Sequence, residues 1–166
     1  MLPTHEYASV LSKVQLFADL IKVDGAIEKL LTIMEKKSFQ KGQEITTQGQ
    51  PGDDFYVLVK GQLSVRKKTI EGEEYNVALL DSQLYPSFGE GGLIDGEVRN
   101  ATIICETNAD CLVLNKVKFN ELCNQSPNIG LPIFKKISFS LIKRLNQTTN
   151  DLMMLHKALM DEIRSQ

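Results

Sequence analysis

The chain has 166 residues, 42% of them hydrophobic and 24% charged, which suits one ordinary globular domain and leaves little room for two. A formal net charge of -2 argues against a nucleic-acid binder working through a broad basic face; the densest basic spots, Arg66-Lys67-Lys68 and Lys143-Arg144, are short and diluted by acids. Cys105, Cys111 and Cys123 make an odd set without a C-x-x-C pair, which argues against a disulfide framework and suggests a reducing compartment.

From His5 to about Lys37 the apolar residues recur with a helical period. Val10, Val14, Phe17, Leu20 and Ile21 share one face, and Ile27, Leu30, Leu31 and Met34 share another, with Asp24-Gly25 breaking the two helices apart. From Ser38 to about Leu114 the texture changes to short β-type runs, "DFYVLV", "QLSVRKK", "YNVALL", "ATIIC" and "CLVLN". Gly42, Gly49, Gly52, Gly61 and Gly72 punctuate them at turn-like intervals, the pattern of a closed roll or sandwich. Cys105 and Cys111 lie in or beside these apolar runs and are expected as buried free thiols.

From Lys116 onward the helical period returns. Lys118 to Asn124 reads as a short helix stopped by Ser126-Pro127, and Pro132 suits the first turn of a long final helix. On that helix Leu141, Leu145, Thr148, Leu152, Leu155 and Leu159 step by four and three residues in alternation, a heptad seam. Such a seam either pairs with a second copy or packs on its own domain. The expected architecture is α+β in a single domain over 1–166: N-terminal helices in 1–37, a jelly-roll-like β-roll in 38–115, and C-terminal helices in 116–166. No signal peptide is apparent and no apolar run approaches the roughly eighteen residues that span a bilayer, so a cytoplasmic setting is expected.

Catalytic chemistry is hard to assemble from this inventory. The two histidines, His5 and His156, lie outside the roll, which leaves it without ligands for a cupin-like metal site. No phosphate-binding P-loop or dinucleotide fingerprint is present. One stretch does carry chemistry, "FGEGGLIDGEVRNATI", residues Phe88 to Ile103. The planar fork of Arg99 suits a phosphate anion. The carboxylate of Glu90 suits a sugar hydroxyl, and Gly89, Gly91 and Gly92 leave the backbone bare for close approach. A short helix starting in "GEGGLI" would turn its free N–H groups toward the same anion. On spacing alone an ordinary surface salt bridge between Glu90 and Arg99 is the favoured reading of the pair.

The stretch resembles the phosphate-binding cassette of the cyclic nucleotide-binding domain family, which reads F-G-E-x-x-L followed after nine or ten residues by R-x-A. The similarity extends over nearly the whole chain: "VQLFADL" looks like the family's N-terminal helix motif and "FQKGQEITTQGQPGDDFYVLVKGQLSV" like its first strands. By that resemblance Glu90 matches the acid that binds the ribose 2′-hydroxyl and Arg99 the arginine that pairs with the cyclic phosphate. Gly89, Gly91, Asn100 and Ala101 match positions lining the phosphate and sugar. Asn100 is neither the alanine nor the hydroxyl residue of many relatives, where a hydroxyl is associated with cGMP. Its amide suits either the phosphate or a guanine edge, so it leaves the base open, with cAMP expected ahead of cGMP. "LYPSFGE" departs from the usual Gly-Asp lead-in, so a different loop shape is expected there.

The last helix, "FKKISFSLIKRLNQTTNDLMML", resembles the dimer helix of bacterial catabolite activator proteins. Thr148 and Thr149 fall where those proteins reach the adenine base, one residue from each subunit. The plainer readings are a Thr148 hydroxyl bonded to the preceding turn's carbonyl and a Thr149 on the helix surface. The resemblance implies a non-enzymatic sensor for cAMP or cGMP, without a metal. It would form a homodimer through the C-terminal helix and relay occupancy to an effector protein or a fused domain, with no direct contact to nucleic acid or membrane. Only about seven residues follow Leu159, too few for a DNA-reading helix-turn-helix, and the uncapped "DEIRSQ" suggests a helix cut midway. The rival reading is a ligand-free scaffold that keeps the fold as a dimerisation module.

Overall fold

The computed structural model describes residues 4–96 and 98–165. It divides into two compact units, Met1–Ile133 and Phe134–Gln166.

The first unit opens with α1 (Thr4–Leu11), a 3-10 segment (Gln15–Lys22) and α2 (Ala26–Ile33). The segment around Phe17 differs from the α-helix expected there. Val14, Phe17 and Leu20 are buried at a spacing of three, the period of a 3-10 helix, and this turns Ile21 out to 62% exposure. Gly25, at φ +67°, supplies the left-handed residue that starts α2.

The strands are β1 (Glu35–Phe39), β2 (Glu44–Thr46), β3 (Asp54–Lys60), β4 (Gln62–Lys68), β5 (Glu74–Asp81), β6 (Ser87–Phe88), β7 (Thr102–Cys105) and β8 (Ala109–Asn115). They form two four-stranded antiparallel sheets in the orders β1-β8-β3-β6 and β2-β7-β4-β5, which is the β-roll expected from the sequence. Sequence period placed residues to about Lys37 in a helix, but β1 already begins at Glu35. That strand is held by pairing to β8 and by its polar side chains, with Ser38 Oγ donating to Asp110 at 2.6 Å and Lys36 paired to Asp110 at 2.9 Å.

Alternation explains the core. Tyr56, Leu58, Leu63, Ile103, Cys105, Ala109, Cys111 and Val113 face one another, at steps of two within each strand. The other faces of β3 and β8 are buried as well, through Phe55, Val57, Leu112 and Leu114, so these strands read as unbroken apolar runs. Phe17 meets Phe55 edge to face at 5.7 Å. Cys105 and Cys111 are buried free thiols, and burial pushes the Cys111 thiol up to about 12.

After β8, α4 (Lys116–Gln125) is capped by Asn115, whose side chain accepts from Val117 N. The long final helix, α5, runs Pro127–Ser165 and carries Pro132 in its interior. The expected start at Pro132 is corrected to Pro127. Proline is tolerated at a first helical position, and the Ile129 and Gly130 amides already close onto Ser126 O at 2.9 and 3.2 Å. The second unit is the remainder of this helix. Leu141, Leu145, Leu152, Leu155 and Leu159 of the heptad seam are all exposed there. Among the described residues no helix is long and apolar enough to cross a membrane.

Candidate functional site

Arg99 is anchored through both its main chain and its side chain. Its amide donates to Gln50 O at 2.8 Å and its carbonyl accepts from Gly49 N at 2.9 Å, which ties it to the turn between β2 and β3. Its guanidinium donates through Nη2 to Asp54 O at 2.7 Å and through Nη1 to Gly89 O at 3.4 Å. Two of the five guanidinium N–H donors are thus spent on main-chain carbonyls, and the plane of the fork is set by them. The Tyr56 ring adds to this seat, with Arg99 Cζ 5.9 Å from its centroid. Tyr56 is in turn stacked on Phe88 at 5.0 Å.

Three glycines make room. A Cβ on Gly52 would stand 2.7 Å from Arg99 Cζ, one on Gly89 would stand 2.6 Å from Nη1, and one on Gly92 would stand 2.5 Å from Gly52 O. Gly89 also has φ +82°, a conformation that L side chains rarely adopt. Gly89 and Gly92 come from the motif that sequence analysis singled out. Gly52, Asp54 and Tyr56 were legible only as turn and strand residues, because their closeness to Arg99 bridges more than forty positions of chain.

Asp54 is the polar hub beside the arginine. Its carboxylate accepts from Asn115 Nδ2 at 3.0 Å and from the Tyr56 hydroxyl at 3.5 Å, and lies 3.7 Å from Lys37 Nζ. Burial, with the Asp54 charge acting in the same direction, pushes the Tyr56 hydroxyl up to about 12.

The other expected residues fall as follows. Glu90 and Gly91 form the half-buried turn into α3 (Gly92–Asp95), and Glu90 O accepts from Leu93 N at 3.2 Å. The short helix expected from "GEGGLI" is present as this single turn, anchored by the fully buried Leu93. Asn100 is exposed, while Ala101 is half-buried and its carbonyl accepts from Thr46 Oγ1 at 3.3 Å. Thr148 and Thr149 belong to the second unit, where both are exposed. The Thr149 hydroxyl donates back to Leu145 O in the preceding turn at 2.9 Å. The unusual lead-in before the cassette forms a 3-10 turn (Ser82–Leu84) ending in Tyr85 at φ +45°. The Lys13 ammonium stands 5.5 Å from the centre of the Tyr85 ring.

A family model for the cyclic nucleotide-binding domain matches residues 36–126, more than half of the chain and all of the glycine-lined seat. The chain belongs to the cyclic nucleotide-binding domain family. Among its relatives is the cAMP-dependent protein kinase regulatory subunit of Dictyostelium discoideum, 34% identical over 119 residues, or 70% of this chain and 36% of that protein. Another is the cGMP-dependent protein kinase, isozyme 2 forms cD5/T2, of Drosophila melanogaster, 32% identical over 127 residues, or 75% of this chain and 13% of that one. The chain therefore matches about a third or less of the length of these relatives. The fold is shared with the Thermus thermophilus catabolite activator protein at a TM-score of 0.72 and 23% identity, over 84% of this chain and 62% of that structure.

Proposed function

We propose that this cyclic nucleotide-binding domain is a sensor that takes cAMP ahead of cGMP, with Arg99 gripping the cyclic phosphate and Glu90 accepting from the ribose 2′-hydroxyl. Gly89, Gly91, Asn100 and Ala101 line the phosphate and sugar, and Thr148 and Thr149 reach the base. The observation that carries the reading is the seating of the Arg99 guanidinium. Two main-chain carbonyls orient it and three glycines clear the space around it. A fork held in one plane is prepared for a planar pair of phosphate oxygens, whereas an ordinary surface ion pair needs no such seat. The matched relatives divide between proteins named for cAMP and for cGMP.

Occupancy is passed on through the C-terminal helix to an effector protein or a fused domain, and the helix pairs with a second copy of the chain along its leucine seam. Thermal melting with each nucleotide tests the binding step. A ligand at a hundred times its Kd adds about 2.7 kcal/mol to a folded state that alone binds it. The expected result is an upward shift with cAMP that exceeds the shift with cGMP. No shift with either nucleotide overturns the proposal and leaves a scaffold with a vacant function.

A further inference from the structure

We infer that Asp54 is a positioning residue that couples the arginine of the nucleotide site to the first turn of α4, with Asn115 as the second half of the device. The inference deepens the proposed binding site and rests on Arg99 being its anchor.

Asp54 opens β3 and lies directly opposite Asn115, the last residue of β8. Its two polar ends serve two different places. The main-chain carbonyl takes the Arg99 Nη2 proton at 2.7 Å, and the carboxylate takes a proton from Asn115 Nδ2 at 3.0 Å. The other end of the Asn115 amide, Oδ1, accepts from Val117 N at 3.0 Å and thereby caps α4. A parallel main-chain bond runs from Lys116 N to Asp53 O at 2.9 Å. One residue therefore stands between the guanidinium and the helix cap, with a hydrogen bond on each side.

The chemistry of Asn115 supports a coupling role over plain capping. Aspartate, serine and threonine cap helices as well as asparagine does, because a cap needs only an acceptor. At Asn115 the side chain accepts from Val117 and donates to Asp54 at once, through the two separate ends of its amide, which an aspartate cap cannot do. The carboxylate is further fixed by the Tyr56 hydroxyl, and the Tyr56 ring lies against the same guanidinium. An anion drawn to Arg99 changes the pull on Asp54 O, which moves the carboxylate against its Asn115 partner. By linkage, a change at the α4 cap must alter nucleotide affinity by the same factor.

The test has a ligand-free arm and a ligand arm. Without nucleotide, hydrogen exchange of the Val117 amide is compared between wild type, Arg99→Lys and Arg99→Ala. The expected result is severalfold faster exchange at Val117 in both variants, and unchanged exchange overturns the coupling. With cAMP as the probe, Asn115→Asp keeps the cap acceptor but sets a carboxylate against Asp54. It is expected to weaken binding by at least about fivefold, the low end of typical site-to-site coupling. The reversed pair, Asp54→Asn with Asn115→Asp, restores one donor and one acceptor between the two positions. It is expected to return affinity to within about twofold of wild type, the ordinary scatter of additive effects. An Asn115→Asp variant that binds like wild type, or a reversed pair no better than the single change, overturns the inference. If the wild-type chain takes up no cAMP while the arginine variants still speed Val117 exchange, the coupling stands and the nucleotide reading of the site falls.

Discussion

The roll and the final helix use the same apolar residues to opposite ends. In the roll, β3 and β8 bury both faces, through Phe55, Val57, Leu112 and Leu114 among others, while Val77 and Leu79 of β5 stay exposed. In the second unit every described side chain from Leu141 to Arg164 is exposed, six leucines and methionines between Leu152 and Met160 included. Folding therefore accounts for the apolar residues of β3 and β8 and does not by itself account for those of the helix. The exposed leucine repeat, with its 4-3 spacing, is the feature on which the proposed pairing with a second copy rests.

The comparison can be broken at several points. Leu93→Ala, in the turn of α3, removes a fully buried side chain and is expected to lower stability by about 2–5 kcal/mol, read as a drop in melting temperature. Gly52→Ala forces a methyl against the Arg99 guanidinium. Overpacking of this kind costs about 1–3 kcal/mol, and a loss falling on the arginine seat would weaken cAMP binding by roughly five- to a hundredfold in a titration. Leu152→Ala, on the exposed seam, is expected to change the melting of the monomer by less than about 0.5 kcal/mol, the range for surface changes. Sedimentation of the same variant should show weaker self-association, and an unchanged dimer would sink the seam as a pairing surface.

The smallest effect is a pH effect. The folded Tyr56 hydroxyl keeps its proton to about 12, while an unfolded tyrosine releases it near pH 10. Its contribution to stability is intact below about pH 10 and is lost as pH rises toward 12. Tyr56→Phe should flatten that alkaline fall, measured by denaturant melts across the range.

Legibility in the sequence followed apolar contrast. The strands β3, β4, β5, β7 and β8 were visible because their side chains are hydrophobic or alternate. The strand β1, "EKKSF", was not, because it is held by sheet pairing and ion pairs, including Lys118 with Glu35, that leave no periodic trace. The 3-10 segment was misread because spacings of three and four blur together over eight residues. In the site, Gly89, Glu90 and Arg99 were legible as a contiguous motif. The seat itself was not, because Gly52, Asp54 and Tyr56 reach Arg99 through sheet register, which the local sequence does not encode.

The central claim is that Arg99 holds a cyclic phosphate, and calorimetric titration of cAMP into the wild-type chain and into Arg99→Ala tests it most directly. Two charge-assisted hydrogen bonds at about 1.5–3 kcal/mol each predict saturable binding in the wild type and a loss of at least about a hundredfold in the variant. Equal affinity in the two proteins would contradict the account.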